Sequence, residues 1–422
     1  MENKELKYII IFLKIKSMKI LFGLPKKIKF CKSCVISNQR PSSIQEFHHD
    51  SQRTGAKYIN FSEEGICDAC NYNHEKKKID WVKREHELEK LLDKYRKDNG
   101  DYDCLIPGSG GKDSAYQAHI LKYKYGMNPL TITWSPLMYT DYGYKNYTNW
   151  CEVGGFDNLF FKQNGIVVKK LLKKSIENLL HPFQIFILGQ KNFAPRIAKK
   201  FNINLIFYGE NEAEYGNPIA DNSKSLRDKS YFSYKNKNNL MIAGQKINDL
   251  LKDNSIRLSD IENYLPVSEN TFDKFDLQIH YLGYYLKWTP QEVYYYASEN
   301  TGFKPRPFRS QGTYSKYTSI DDKVDDLHWY TTFIKFGLGR ASYEASQEIR
   351  NNHISREEAK MLVKKFDGEF PNIYFKEIMD FISMGYDEFE TICNKFRSPH
   401  IWKRVGDNWK LRHNVNKTGI DD

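Results

Sequence analysis

The stretch Cys104-Leu105-Ile106-Pro107-Gly108-Ser109-Gly110-Gly111-Lys112-Asp113-Ser114 runs an apolar strand straight into a glycine-rich turn and then into the start of a helix. Glycines let the backbone turn sharply and approach a ligand closely, and the free N–H groups at the start of the helix favour an anion. Ser109 and Ser114 add hydroxyl donors, Lys112 a cation, and Asp113 a carboxylate able to hold a magnesium ion carried by a nucleotide. Two common nucleotide fingerprints do not fit: the P-loop requires Ser or Thr after its lysine, and the dinucleotide motif requires a third glycine. A plain strand-to-helix turn is the alternative reading of the same residues.

The pattern around this turn sets the fold class. Apolar strands at 104–107, 130–134, 158–161 and 204–208 alternate with helical stretches at 112–125, 144–153, 167–180 and 193–201. Strand–helix alternation with continuously apolar strands predicts an α/β, doubly wound parallel sheet, with its ligand crevice beyond the strand C-termini. Thr133 and Trp134 end one strand and are candidates for adenosine contact, or for packing on the next helix. Gly209, Glu210 and Glu212 follow another strand, where the carboxylates can steer magnesium or an ammonium group, or merely cap and solvate.

Two cysteine pairs precede the sheet, Cys31/Cys34 and Cys67/Cys70. Paired CxxC knuckles match tetrahedral zinc, with a redox pair or plain buried thiols as alternatives. Cys104 lies in a strand and reads as core, while Cys151 and Cys393 have no visible partner. The expected organisation is a basic arm at 1–30, or an early start with Met18 as the alternative, and a zinc-knuckle module at 31–80. An ATP-type α/β domain at 81–217, a charged insertion or flap at 218–275, and a mainly helical region at 276–422 follow. Asp80 is a cap for the helix from Trp81; Thr289-Pro290-Gln291-Glu292, Ser355-Arg356-Glu357-Glu358 and Asp387-Glu388-Phe389-Glu390 carry helix-start signatures. The segment 276–288 is compatible with a strand or with the buried start of a helix.

With 422 residues the chain is long enough for two or three domains, and no apolar run is long enough to span a bilayer, so a cytoplasmic protein without stable membrane insertion is expected. The net charge of +11 is spread along the sequence, which fits a solvated surface with a local anion site and predicts no nucleic-acid partner. Polar residues concentrate at 304–316 and 336–341, making Arg306, Arg309, Lys316 and Arg340 candidates for anion contacts, against the alternative of ordinary surface cations. His328 and Asp322 are candidates for proton transfer, or else buried and satisfied polar groups.

The string SGGKDS resembles the PP-loop of ATP pyrophosphatases, whose fold is of the HUP type. Taken with both cysteine pairs, GENEAEYG at 209–216, DDKVDDLHWY at 321–330 and FGLGRAS at 336–342, it resembles the N-acetyl sugar amidotransferases of surface-polysaccharide and flagellin-glycan pathways, over roughly residues 29–405. The resemblance implies that the acetamido oxygen of an N-acetylated, sialic-acid-like or nucleotide-linked sugar attacks the α phosphate of ATP. Pyrophosphate leaves, and ammonia then displaces AMP to give an acetamidino group. ATP, Mg2+ and Zn2+ are the implied cofactors. Matched by position, Ser109, Gly110, Gly111, Lys112, Asp113 and Ser114 hold phosphates, and Lys112, Asp113 and Arg340 act by charge stabilisation and alignment. No glutaminase signature is present, so separate glutaminase and cyclase-like subunits are the implied ammonia source. A PP-loop tRNA-thiolating enzyme is the rival reading; it calls for reactive cysteines close to the nucleotide.

Overall fold

In a computed structural model, residues 19–42, 46–53, 56–217, 224–252 and 255–417 are described. Most of the expected basic arm, with Met18, and part of the 218–275 segment lie outside them. The sheet consists of β1 (Cys104–Pro107), β2 (Pro129–Trp134), β3 (Asn158–Phe161), β4 (Leu205–Tyr208) and β5 (Gln278–Tyr281). Its order is β3-β2-β1-β4-β5 and every pairing is parallel. The chain builds outward from β1 through β2 to β3, then returns and builds the other way through β4 and β5. Strand order therefore reverses between β1 and β4, which opens a crevice at their C-terminal ends.

The helices that position the site are α1 (Asp68–Lys76), α2 (Trp81–Tyr95), α3 (Lys112–His119), α4 (Asp141–Glu152), α5 (Gly165–Leu179), α6 (Gln184–Lys200) and α7 (Pro290–Thr301). Beyond them run α8 (Val324–Phe336), α9 (Arg340–Arg350), α10 (Arg356–Phe366), α11 (Asn372–Ile382) and α12 (Tyr386–Phe396), and a terminal hairpin of β6 (Trp402–Val405) and β7 (Asn408–Leu411). Among the described residues no helix is long and apolar enough to cross a membrane.

Alternation along the strands divides the core in two. Leu105, Leu130, Ile132 and Ile206 share one cluster with Leu171 and Leu172 of α5 and Leu188 and Ala194 of α6. Cys104, Ile106, Leu205 and Phe207 face a second cluster with Leu88 and Leu92 of α2, Ala115 of α3, Trp150 of α4 and Val293 of α7. Both faces are thus covered by helices, as expected of a doubly wound sheet. Each fully buried Leu or Phe there contributes about 1.5–3 kcal/mol.

The local signals translate unevenly. The Asp80 carboxylate accepts from Lys83 N at 3.0 Å, and Ser355 with Glu358 closes a full capping box. Thr289 caps with backbone only, leaving Pro290 at the first helical position to set the start of α7. Gly385 takes the N-cap of α12, so Asp387 and Glu388 sit in its first turn and favour the positive end of the helix. α6 starts nine residues earlier than the 193–201 reading and carries Pro195 inside it. The 276–288 segment is both of the things it was compatible with: strand β5, then a helical turn at Leu282–Tyr285. The described part of the charged 218–275 segment is anchored by Leu240, Ile242, Ile247, Ile261, Tyr264 and Phe272, all in the larger core cluster.

One carboxylate joins the sheet to the C-terminal helices. Asp322 accepts from Leu137 N at 2.6 Å, Met138 N at 3.2 Å and Val324 N at 3.0 Å, tying the loop after β2 to the start of α8. The Asp322→Ala variant leaves three backbone N–H groups without their acceptor and is expected to lose about 3 kcal/mol of unfolding free energy in urea denaturation. A loss below about 0.5 kcal/mol would show that the loop finds other acceptors.

Candidate functional site

The four knuckle cysteines converge. Cys31 Sγ lies 3.9 Å from Cys70 Sγ and Cys34 Sγ 3.7 Å from Cys67 Sγ, and all four sulfurs fall within 4.8 Å of one another. Four sulfurs about 2.3 Å from a central zinc stand about 3.8 Å apart in a tetrahedron, so this set can hold such a metal with little movement. Cys34 N and Cys67 N both point at Cys31 Sγ, at 3.4 and 3.3 Å, a donor arrangement that favours a thiolate. Arg356 holds the first knuckle from α10, its guanidinium donating to Cys34 O and Cys31 O at 3.0 Å each. Nothing in the spacing of the cysteines identifies that arginine.

At the switch point between β1 and β4 lies a cavity of about 400 Å3. Ser109, Gly111, Lys112, Asp113, Gly209 and Glu210 line it, so the turn after β1 and the turn after β4 meet as the strand order requires. Gly110 has φ +82°, and a Cβ there would sit 2.6 Å from Tyr147 Cα and 2.7 Å from Asn146 O of α4. Only glycine fits that position. Gly111 is the N-cap of α3 and brings no side chain to cap it, so the first-turn N–H groups face no competing side-chain acceptor from the cap.

Lys112 is buried, and its ammonium donates to Asp113 Oδ1 at 2.6 Å and Oδ2 at 2.7 Å. Burial works to lower Lys112, but the Asp113 and Glu210 charges outweigh it and hold the ammonium above its ordinary range. Glu210 is pushed up to about 7 by burial and by the Asp113 charge, against the opposing Lys112 charge and a hydrogen bond from Tyr215. Burial also raises Asp321, which accepts a hydrogen bond from Ser109. Despite burial, the Lys191 and Arg227 charges keep Glu212 below its usual range. Ser114 turns its hydroxyl back to Gly111 O at 3.0 Å, so it stiffens the turn while lining the cavity.

Other expected contacts lie elsewhere. The Thr133 hydroxyl accepts from Asn158 Nδ2 at 3.0 Å inside the sheet. Trp134 stacks on Phe161 at 5.0 Å, meets Tyr264 edge-on at 4.9 Å, and abuts Gly189, where a Cβ would clash with its indole ring. Both serve the core and neither lines the main cavity. Arg340 is wholly buried behind Asp325, at 2.8 Å from its Oδ2, and also donates to Glu344 at 2.9 Å and to Thr318 O. Each of its three nitrogens has a partner in this network, which makes it a positioning group for Asp325 in this arrangement. Arg306 sits beside Asp326 at 3.6 Å, Arg309 pairs with both Glu369 oxygens at 2.6 and 2.7 Å, and Lys316 donates to Pro307 O. The DDKVDDLHWY string marks the right segment, but the carboxylates that line the cavity are Asp321 and Asp325, with Asp322 holding backbone. Cys104 and Cys393 are buried and pushed up by that burial, and neither they nor Cys151 line the cavity.

Two outcomes follow from this geometry. The purified protein should carry about one zinc per chain by elemental analysis, and Cys67→Ser should hold well below that and unfold at lower temperature. For Glu210, the folded value near 7 lies above the unfolded value of about 4.3, so its contribution to stability is present below about pH 4.3 and lost as pH rises through 7. Glu210→Gln should therefore gain stability relative to the parent between about pH 5 and 8 in nucleotide-free, metal-free buffer; parallel stability curves would contradict the shift.

Comparison with known proteins adds a family match for one part. Residues 311–416 match the family described as LPS biosynthesis protein WbpG-like, C-terminal domain, a span that includes Asp321, Asp325 and Arg340. An uncharacterized protein of Methanocaldococcus jannaschii is 36% identical over 76 residues, or 18% of this chain and 27% of that protein. The match thus spans about a quarter of that relative's length.

Proposed function

We propose that the chain is an ATP-dependent amidotransferase of glycan biosynthesis, converting the acetamido group of an N-acetylated sugar to an acetamidino group. The observation that carries this reading is the meeting of a glycine-built turn, a buried lysine and a carboxylate at the switch point of the sheet. The match of residues 311–416 to a lipopolysaccharide-biosynthesis family supports glycan chemistry as the setting. Ser109, Gly110, Gly111 and the first turn of α3 would hold the phosphates, and Gly209 and Glu210 would close the site from β4. ATP supplies the activation, by making an amide oxygen into a leaving group. Lys112 and Asp113 neutralise each other in the protein alone, so an incoming phosphate would compete for the ammonium while magnesium takes the carboxylate. Catalysis in this scheme is alignment and charge stabilisation with no covalent nucleophile, in keeping with the absence of a cysteine among the described residues lining the cavity. Ammonia would come from a separate glutaminase with a cyclase-like subunit.

The test incubates the protein with ATP, ammonium and N-acetylated acidic or nucleotide-linked sugars. A product lighter by about one mass unit, with AMP and pyrophosphate, is expected, because NH replaces O. Lys112→Ala and Asp113→Ala should each lower AMP formation by about 100-fold or more while zinc content stays at the parent level. Pyrophosphate release equal to the parent's would remove the loop from the mechanism, and dependence on tRNA would favour thiolation.

A further inference from the structure

A second cavity, of about 260 Å3, shares Ile187 of α6 with the first and lies between Pro41, Ser42, the 46–53 stretch, His181 and α8. Among its lining residues are Arg53, Lys335, Trp329 and three histidines, His49, His181 and His328, with Glu46 as the one carboxylate among the described residues there. Nothing in the proposed reaction uses them.

The arrangement first suggests a metal site, since Glu46, His49 and His181 bring ligand atoms within 4.8 Å of one another. Hydrogen bonding argues against it. Arg53 Nη1 lies 3.4 Å from His49 Nε2, and a guanidinium can only donate, so Nε2 accepts and the proton resides on Nδ1. That Nδ1–H faces Glu46 Oε2 at 3.3 Å, and His181 Nε2 approaches the same oxygen at 3.7 Å. The carboxylate is therefore engaged by imidazoles, and His49 offers a metal no lone pair. Two basic side chains, Arg53 and Lys335, stand beside it.

The remaining groups call for an acceptor. Arg53, with nine-tenths of its surface buried, has no partner for its Nε, and Trp329 has none for its Nε1. Both atoms can only donate. The Ser42 hydroxyl and His328 Nδ1 also lack partners. Lys335 donates to Leu179 O at 2.7 Å, and burial and the Arg53 charge drive it well below the ordinary lysine range, a shift that an anion in the cavity would oppose. A buried guanidinium with an unused donor, and a lysine amine crowded by it, are stabilised by an oxyanion, which accepts several hydrogen bonds and offsets the charge.

We propose that this cavity holds the oxyanion group, a carboxylate or a phosphate, of the sugar substrate, beside the cavity in which the acetamido group reacts. The assignment of the anion to a sugar rests on the functional reading above; the anion site itself does not. A sugar bearing its acid or phosphate here would be anchored on one side of Ile187 and presented on the other, so that the anion sets which N-acetylated sugar is accepted.

Direct binding without ATP tests this by calorimetry, using N-acetylneuraminate as the carboxylate probe, UDP-N-acetylglucosamine as the phosphate probe and N-acetylglucosamine as the neutral control. At least one charged probe should bind more tightly than the neutral sugar and lose about tenfold or more in both Arg53→Gln and the milder Trp329→Phe. Which probe binds identifies the oxyanion. Failure of both probes, equal affinity in parent and variants, or stoichiometric zinc binding lost in His49→Ala and His181→Ala would each overturn the proposal. Arg53-dependent binding with no AMP formed under turnover conditions would defeat the amidotransferase reading and leave the site standing. AMP formation indifferent to Arg53→Gln at low sugar would remove the site alone.

Discussion

The reversal of strand order between β1 and β4 is the constraint from which the main cavity derives. Parallel strands deliver all their C-terminal ends to one edge, and helices on both faces leave an opening only where neighbouring crossovers part. At that opening the chain must turn from β1 into α3 while pressed against α4, and the approach of Gly110 to Tyr147 and Asn146 leaves no room for a Cβ. Backbone thus occupies the place a side chain would have filled. The consequence is a helix start whose N–H groups border a cavity, with Lys112 and Asp113 as the first charged residues beyond it.

Around this turn, acidic residues are held by a buried basic scaffold. Asp325 lines the cavity and is gripped from behind by Arg340, which also binds Glu344; Asp326 lies between Arg340 at 3.5 Å and Arg306 at 3.6 Å. Burial pushes Asp325 up to about 8 even against the Arg340 charge, with Asp326 adding to the rise. Such a network stabilises little in net terms, because desolvation offsets the attraction, but it fixes where its members point. Its place between α8, α9 and the 304–322 loops makes the C-terminal region part of the cavity wall.

The sheet was legible because continuous apolar strands and helical periods differ in length and pattern, and the turn after β1 carried its chemistry in consecutive residues. The same local character explains the cysteine knuckles, whose ligands come in adjacent pairs. What escaped were contacts made across the fold. Arg340 stands in the sequence as a candidate for an anion contact or an ordinary surface cation, whereas Asp325, Asp326 and Glu344 reach it only after α8 and α9 pack. Trp134 ends a strand beside the crevice, yet Phe161 and Tyr264 close around its ring. His181 lies more than a hundred residues from Glu46 and His49, and no spacing rule joins it to them. The described part of the charged 218–275 segment shows how composition misleads: its lysines and asparagines conceal Leu240, Ile242 and Ile261, which supply the core.

Charge is distributed against the average of the chain. A protein of net charge +11 gathers Asp113, Glu210, Glu212, Asp321 and Asp325 around its main cavity, with Lys112 as the one basic residue among the described residues lining it. A bare polyphosphate would meet repulsion there that a single ammonium and a helix terminus do not offset. A polyphosphate carrying a divalent cation meets the opposite: each carboxylate becomes a ligand or a counter-charge, and Glu210, near 7 in the protein alone, gains reason to ionise. The neighbouring cavity inverts the balance, with Arg53 and Lys335 around one carboxylate already held by imidazoles. Two cavities of opposite character, both lined by Ile187, suit the proposed reaction, in which a metal-bound nucleotide would enter on one side and an acidic partner on the other.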